Sequence, residues 1–186
     1  MHNRTARNSE NSIQKLKEMI LDHQYQASLA EDEPFVFNLK YDEHNELILG
    51  DGTVKKPVRI LFSSKSMIKH LRHKGGVAHL DCTYKIMTTN YNLLIFGVTN
   101  IQGKFHPVAF MIINKECEED FIHFYSSLIK FCKDEFDFVY EPRYIMQDHN
   151  QASFNAAKHV FRKAKILMCY FHVKLNVRKN LMTPNI

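Results

Sequence analysis

The chain has 186 residues, of which 45% are hydrophobic and 24% are charged, and its formal net charge is +5. These proportions are ordinary for a soluble globular protein. We expect neither a membrane span nor secretion, because no apolar run reaches the roughly 20 residues of a membrane helix and the polar N-terminus lacks a signal-like apolar segment. The four cysteines form no C-x-x-C pair, which favours a reducing compartment over a disulfide scaffold.

The sequence pattern of residues 1–59 predicts a small N-terminal α/β extension. The apolar residues of SIQKLKEMILDH recur at helical spacing, which predicts a helix, and FVFNLKY and NELILG flank the polar DEHN, which predicts a β-hairpin. RILFSS predicts another short strand. SKSMIKHLRHKGG predicts a short helix with Ser64 or Ser66 as its cap.

Residues 60–186 predict the main domain, which begins its regular pattern with three strands. VAHLDCTYKIM, YNLLIFGVTN and FHPVAFMIIN are rich in branched and aromatic residues, and their short connections predict an antiparallel meander. Pro107 near the start of the third strand favours an edge position, since proline cannot donate a ladder hydrogen bond.

Helices and strands alternate in the rest of the chain. CEEDFIHFYSSLIKFCKDEF predicts a helix, RYIMQD a strand, ASFNAAKHVFRKA a helix, KILMCYF a strand and HVKLNVRKN a further helix. The resulting order, β-β-β-α-β-α-β-α, fits an α/β fold of the ribonuclease-H-like type. In that arrangement the first strand is central, the meander lies on one side, parallel strands lie on the other, and helices cover both faces.

Two aspartates lie on strands that this arrangement makes neighbours. Asp81 lies in the first strand and Asp148 ends the fourth. Adjacent strands are ~4.8 Å apart, so we expect the two carboxylates to share a small volume, where Mg²⁺ or Mn²⁺ would relieve their repulsion. The apolar neighbours of Asp81 suggest burial, which would require a partner. The alternatives are a solvated Asp81 and an Asp148 that only caps the next helix.

The charge of the chain is unevenly distributed. No Asp or Glu follows Asp148. The basic residues after it are Lys158, Arg162, Lys163, Lys165, Lys174, Arg178 and Lys179. A segment with this excess of positive charge could bind a phosphate backbone. The alternative is a basic surface that only contacts solvent.

Several of these stretches together resemble a known family. The D-x-T-Y-K of the first strand, the strand ending in IMQD before an alanine-rich helix, and the C-x-x-H segment CYFHVKLN resemble the transposase domain of Mutator-like elements, the MULE family. The resemblance covers about residues 60–180. It implies a DDE-type nuclease and strand transferase that uses Mg²⁺ or Mn²⁺, with Asp81 and Asp148 as its first and second catalytic, metal-binding acids.

The resemblance also implies roles for neighbouring residues. Thr83, Tyr84 and Lys85 match the rest of the first motif, and we expect Lys85 to contact DNA together with the basic residues that follow Asp148, except Lys165. Cys169 and His172 match the C-x-x-H element. Two ligands are too few for a structural zinc site, so we expect a structural pair, a buried cysteine and a histidine that caps the next helix.

The chain departs from the family in its third acid, a Glu that follows much later in family members. Since no Asp or Glu follows Asp148, we expect a core truncated before that acid. Glu116 matches a frequent acid after the third strand. Glu118, Glu119 and Asp120 are weaker candidates to face the site, as a helix acid does in ribonuclease H.

The hypothesis that results is a transposase-derived DNA-processing domain, incomplete or weakly active alone. The resemblance implies that the partner is DNA, at the ends of the element and at the target. It also implies either a homo-oligomer or missing domains that are supplied elsewhere. It implies the nucleus as the location, with the cytoplasm as the alternative, and no membrane. A domesticated, non-enzymatic DNA-binding or protein-interaction module is the main alternative, and a poorly folding gene fragment is another.

Overall fold

The structure, a computed structural model, describes residues 13–53, 55–72, 76–83 and 91–182. Its elements in chain order are α1 (13–22), β1 (Phe35–Phe37), β2 (Arg59–Ser63), α2 (Lys65–Lys69) with a 3₁₀ turn at His70–Arg72, β3 (Val77–Thr83), β4 (Asn92–Thr99), β5 (Phe105–Ile113), α3 (Glu118–Phe136), β6 (Tyr144–Gln147), α4 (Gln151–Val160), β7 (Lys165–Met168) and α5 (Tyr170–Met182).

The strands form a mixed sheet that has seven strands in the described part of the chain, in the order β1-β2-β5-β4-β3-β6-β7. β3, β4 and β5 are an antiparallel meander. β6 pairs in parallel with the other side of β3, and β7 pairs in parallel with β6. The predicted mixed α/β sheet, with a meander on one side of β3 and parallel strands on the other, is confirmed.

Alternation along the strands directs one set of side chains into the main core, beneath α3 and α4. Leu80, Leu94 and Phe96 are buried in it. The Phe96 ring contacts Phe124 and Tyr125 of α3 at centroid distances of 5.7 and 6.0 Å. The apolar stripe of α3 therefore meets the buried face of the meander, as the helical spacing of its sequence predicts.

The opposite face of the sheet is covered by α1 at the end that β1 and β2 form. Ile20 of α1 packs with Val36 and Ile60 in a second hydrophobic cluster, and Leu16 lies against it. Helices thus lie on both faces of the sheet. None of the helices among the described residues is long and apolar enough to cross a membrane.

β1 and β2 belong to the same sheet as the meander. β2 pairs antiparallel with β5, where Phe62 lies opposite Phe110, and β1 pairs antiparallel with β2. The predicted hairpin around DEHN is present only as a short one: Tyr41 and Leu47 form an antiparallel bridge, and the Ile48 N–H donates to the Lys40 carbonyl at 2.9 Å. β1 itself pairs with β2 instead of with the second segment of that hairpin. Strands from both sides of residue 60 therefore belong to one sheet. The predicted division into residues 1–59 and 60–186 stays a prediction.

β5 is an internal strand, so the edge position that Pro107 favours is wrong for the strand as a whole. β2 pairs with residues 110–113 of β5, and Pro107 lies before that paired segment, where its missing N–H is not needed. On the other side the register with β4 shifts between Phe96 and Gly97, and the extra residue, Val108, lies in β5. A Cβ on Gly97 would lie 2.4 Å from the Phe105 ring, so the close approach requires glycine.

An ion pair joins β2 to α3. Asp120 is only 1% exposed, and its Oδ1 lies 2.6 Å from Nε of Arg59. The Cys117 thiol donates a hydrogen bond to its other oxygen. A buried carboxylate requires such partners, so this pair fixes the start of α3 against the outer part of the sheet.

Candidate active site

The carboxyl ends of the parallel strands β3, β6 and β7 meet at one side of the sheet, named here the carboxyl edge. The amino ends of α4 and α5 lie at the same edge, because each helix begins within a few residues of the strand before it. β4 runs antiparallel to β3, which brings its first residue, Asn92, to this edge as well. Helix amino ends carry partial positive charge and favour an anion such as a phosphate.

Asp81 lies near the end of β3 and faces away from the main core. Leu80 beside it is buried, whereas the Asp81 side chain is 55% exposed. Successive strand residues point to opposite faces, so one position separates a core residue from a solvent-facing carboxylate. The burial that its apolar neighbours suggest for Asp81 is therefore wrong.

Asp148 lies level with Asp81 on the neighbouring strand. β3 and β6 pair in parallel, with Ala78 opposite Ile145 and His79 opposite Met146. Two residues further along both strands, the same register brings Asp81 beside Asp148, which directly follows the last residue of β6.

The alternative role for Asp148, a helix N-cap, belongs to another residue. Asn150 caps α4, and its Oδ1 accepts hydrogen bonds from the backbone N–H groups of Ala152 and Ser153 at 2.9 and 3.2 Å. Asp148 therefore precedes the cap by two residues and is not the side chain that starts the helix.

Glu116 is the acid that connects the elements of the carboxyl edge. It lies in the connection between β5 and α3, and its two oxygens accept hydrogen bonds from Nδ2 of Asn92 at 3.0 Å and from Nδ2 of Asn150 at 3.1 Å. It thereby joins the start of β4 to the cap of α4. These partners lie 24 and 34 positions away in sequence, so no local pattern could have predicted the contacts.

Cys82 lies among these acids. Burial raises the pKa of its thiol well above the usual range, and the carboxylates of Glu116, Asp148 and Asp81 raise that pKa further. The thiol therefore stays neutral at physiological pH. Three carboxylates close enough to act on one thiol also concentrate negative charge, which favours a bound cation at this edge.

The donor chemistry of the edge fits Mg²⁺ or Mn²⁺. Both ions prefer carboxylate oxygens, and Mg²⁺ commonly takes only one or two of them and fills its remaining positions with water and substrate phosphates. Within the described residues, no group of three or more Asp, Glu, His or Cys side chains forms a complete metal site. Asp81 and Asp148 are the residues that would hold the ion.

The acids at the start of α3 are engaged elsewhere or exposed. Asp120 is paired with Arg59, and Glu118 accepts a hydrogen bond from Asn155 of α4 at 3.0 Å. Glu119 is exposed to solvent. The contacts to Asn92 and Asn150 distinguish Glu116 from these three. The resemblance had matched Glu116 to a frequent acid after the third strand, but sequence analysis predicted neither of these contacts.

The C-x-x-H pair lies beside Asp81. The backbone N–H of Cys169 donates to the carbonyl of Gln147 at 2.7 Å, and Cys169 directly precedes α5. His172 is the third residue of that helix, with Nε2 3.9 Å from Oδ1 of Asp81. The expectation that His172 caps the helix is therefore wrong, because it faces the carboxylate instead. The predicted buried cysteine is wrong too, because Cys169 is half-buried and lies between β7 and α5. A structural role for the pair stays a prediction.

The basic residues predicted to contact DNA fall into two groups. One group comprises Lys158, Arg162 and Lys163, all exposed, near or beyond the C-terminal end of α4. α4 has ten residues and is ~15 Å long, so Arg162 and Lys163, which follow its last residue, lie near the opposite edge of the sheet, and Lys158 lies in its last turns.

The second group lies on α5, which begins at the carboxyl edge. Lys174 and Arg178 are exposed on this helix. Lys179 belongs to the same helix, but its side chain lies outside the described residues, as does the whole of Lys85 in the segment 84–90. Of the described residues in this predicted set, Lys174 lies nearest to the helix end at the carboxyl edge, and Arg178 lies one turn further along α5.

A family model describing the MULE transposase domain matches residues 77–176, from the start of β3 into α5. The match spans more than half of the chain. The chain belongs to the MULE transposase family. The match includes Asp81, Glu116, Asp148 and the C-x-x-H pair, and it confirms the predicted resemblance. A comparison of the chain with curated proteins found no match. Membership implies a transposase-related function and an interaction with DNA.

Proposed function

We propose that this MULE transposase domain derives from an enzyme that cleaves DNA phosphodiester bonds and transfers the resulting ends, with Asp81 and Asp148 as its metal-binding acids, and that it is incomplete or weakly active alone. The observation that carries the proposal is the parallel register of β3 and β6, which brings the two aspartates level at the carboxyl edge. The strand order β5-β4-β3-β6-β7 supports a ribonuclease-H-like fold, the arrangement in which such a pair of acids is expected.

In this proposal Mg²⁺ or Mn²⁺, when bound, supplies activation of the attacking oxygen and stabilisation of the leaving oxygen. Asp81 and Asp148 hold the ion. Glu116 positions Asp148, because it binds the Asn150 side chain that starts α4. Lys174 and Arg178 neutralise phosphates of the DNA that lies along α5.

The test compares Mn²⁺-dependent nicking of a labelled DNA duplex by the unmodified chain, Asp81→Asn and Asp148→Asn. We expect both variants to lose at least 100-fold in rate, on the order of the effect of removing one electrostatic catalytic group. Asp22→Asn, at the end of α1 and exposed, is the matched control and keeps full activity. Nicking that is equal in all four proteins would show a contaminating nuclease and overturn the proposal.

Metal binding is measured separately by calorimetric titration with Mn²⁺. The unmodified chain binds Mn²⁺ more tightly than Asp81→Ala, because that variant has lost one carboxylate ligand. Equal binding by the two proteins would remove Asp81 from the site, whatever the nicking assay shows.

A domesticated, non-enzymatic DNA-binding module is the second candidate. The basic residues of α5, a helix without Asp or Glu, favour it, since they provide DNA affinity that needs no catalytic acid. It predicts salt-dependent DNA binding that is unchanged in Asp81→Asn and no Mn²⁺-dependent nicking in any protein.

A further inference from the structure

β7 is the last strand of the sheet and has an open side. It pairs in parallel with β6, and among the described residues no other strand pairs with it. The N–H groups of Lys165 and Cys169 donate to carbonyls in and just before β6. Because backbone groups alternate sides along a strand, the N–H and C=O groups of Ile166 and Met168 face the open side. An edge of this kind can pair with a further strand.

A cavity of about 240 Å³ lies between β7 and the first half of α4, and its walls include Phe154, Ile166 and Met168. It is named here the α4–β7 groove. In the register of the two strands, Ile166 and Met168 lie opposite Ile145 and Gln147, which are buried on the face of the sheet that α4 covers. Both side chains therefore face the groove. Met168 is still 51% exposed, so the groove offers apolar surface at the edge of the sheet.

The charged side chains that α4 and β7 bring to the groove are cationic. Neither element contains an Asp or Glu. Lys158 lies one turn beyond Phe154 on α4, and its Nζ is 4.9 Å from the centroid of the Phe154 ring. Lys165 is exposed at the start of β7. Asp148 belongs to the wall at the carboxyl edge, so the rest of the groove favours an anionic ligand.

We propose that the α4–β7 groove binds an extended acidic segment of another protein, which pairs with β7 as a further strand. Its apolar side chains pack against Phe154 and Met168, and its carboxylates lie near Lys158. The open strand edge favours a peptide over DNA, because its N–H and C=O groups match another peptide backbone. The charge disfavours a second copy of this chain, since pairing of two β7 strands would bring two cationic surfaces together. This interaction requires neither DNA cleavage nor a bound metal.

The probe is a fluorescein-labelled peptide of alternating glutamate and valine, about six residues long to span the four residues of β7, and binding is measured by fluorescence anisotropy. Two N-methylated forms test the backbone pairing, one methylated at every glutamate nitrogen and the other at every valine nitrogen. Neighbouring strand residues direct their N–H groups to opposite sides, so only one form loses its hydrogen bonds to β7. We expect that form to bind at least about tenfold more weakly and the other to bind within about threefold of the unmethylated peptide.

Two variants test the side chains of the groove. Met168→Ala weakens binding of the glutamate–valine peptide by about 5- to 10-fold, because the peptide covers the exposed part of this side chain. Met19→Ala is the matched control, since Met19 is 55% exposed on α1, and it leaves binding unchanged. Lys158→Gln weakens binding by about two- to fivefold, the range of an exposed ion pair, whereas Lys104→Gln, at an exposed residue between β4 and β5, has no effect.

Equal binding of the two N-methylated forms overturns the proposal, as does equal binding of a peptide of alternating lysine and valine. Displacement of the probe by a short DNA duplex in the variant Lys174→Gln, Arg178→Gln also overturns it, because the groove would then bind DNA without the cations of α5. Self-association in sedimentation experiments that Met168→Ala abolishes would place a second copy on β7 instead. Asp81→Asn binds the peptide like the unmodified chain, so a loss of nicking or of Mn²⁺ binding leaves this proposal intact.

Discussion

Glu116 differs from Asp81 and Asp148 in how its carboxylate is used. Both of its oxygens accept hydrogen bonds from asparagine side chains of other elements, whereas the Asp81 side chain is largely exposed. A carboxylate that holds two elements together contributes to stability, while an exposed one remains available to a ligand. Glu116 is therefore the acid at this edge with a measurable role in folding.

We expect Glu116→Ala to destabilise the fold by about 1–3 kcal/mol, the cost of leaving polar partners without hydrogen bonds. Urea unfolding followed by circular dichroism measures the change. Glu43→Ala is the control, since the Glu43 side chain is 87% exposed, and it changes the stability by less than about 0.5 kcal/mol. Equal stability of the two variants would contradict the structural role of Glu116.

His123 makes the stability of the fold depend on pH. Burial lowers the pKa of His123 to about 4, and the positive charges of Arg59 and Lys40 lower it as well. In the unfolded chain the pKa is about 6.5, so the unfolded state takes up the proton first. The contribution of His123 is therefore complete above pH 6.5 and is lost as the pH falls towards 4.

Between pH 7 and pH 5 we expect His123 to account for about 1–2 kcal/mol of lost stability, allowing for its partial exposure. His123→Gln removes this loss, and other titrating groups act equally on both proteins. The measurement is the free energy of unfolding of the two proteins at both pH values. A drop of the same size in the variant would show that His123 does not titrate differently on folding.

At the scale of elements, the cap of α4 combines two contacts in one side chain. Asn150 accepts from the first backbone N–H groups of the helix through Oδ1 and donates to Glu116 through Nδ2. Its replacement therefore separates a local helix signal from a contact between elements.

We expect Asn150→Ser to keep the cap and lose the contact with Glu116, and Asn150→Ala to lose both. The unfolding free energies should rank unmodified, Ser, then Ala, with a total loss of about 1–3 kcal/mol. Thermal and urea unfolding of the three proteins give the ranking. If Ser and Ala are equally destabilised, the cap contributes nothing, and if Ser is unchanged, the contact with Glu116 contributes nothing.

The elements that sequence analysis predicted correctly carry strong local patterns. Alternation in β4 and β5 and the apolar stripe of α3 depend on neighbours a few residues away. The pairing of β2 with β5 does not, because Phe62 and Phe110 are far apart along the chain. Likewise, KILMCYF was predicted as a strand throughout, but β7 ends at Met168 and α5 begins two residues later.

The site was predictable to the extent that it depends on topology. The order of strands is enough to bring Asp81 and Asp148 to neighbouring strands, and the register of β3 and β6 agrees with that expectation. The contacts of Glu116 and the approach of His172 to Asp81 depend on how loops and helix ends pack in three dimensions. No periodicity in the sequence encodes them.

At the scale of the whole molecule, the cationic residues after Asp148 form two separate surfaces. Lys174 and Arg178 lie on α5, which begins at the carboxyl edge, and Arg162 and Lys163 follow the far end of α4, a helix length away from that edge. Each phosphate contact contributes about −0.9 to the slope of the logarithm of DNA affinity against the logarithm of salt concentration. The slope therefore reports which surface the DNA touches.

The double variant Lys174→Gln, Arg178→Gln should reduce the magnitude of this slope by about 2 for a short duplex. The matched double variant Arg162→Gln, Lys163→Gln should change it by less than about 0.5. Titrations at several salt concentrations measure both. Equal reductions would mean that one duplex extends over both surfaces, and a reduction in the second variant alone would place the DNA away from the acids.

The outer strands have a consequence for any attempt to divide the protein. A fragment that starts at residue 60 would lack Arg59, which leaves Asp120 as a buried charge without its cation, a change that typically costs 3–5 kcal/mol. It would also lack Phe37, whose ring stacks on Phe131 of α3 at 4.5 Å. Such a fragment should be recovered as aggregate, and limited proteolysis of the intact chain should spare the bonds between residues 59 and 63.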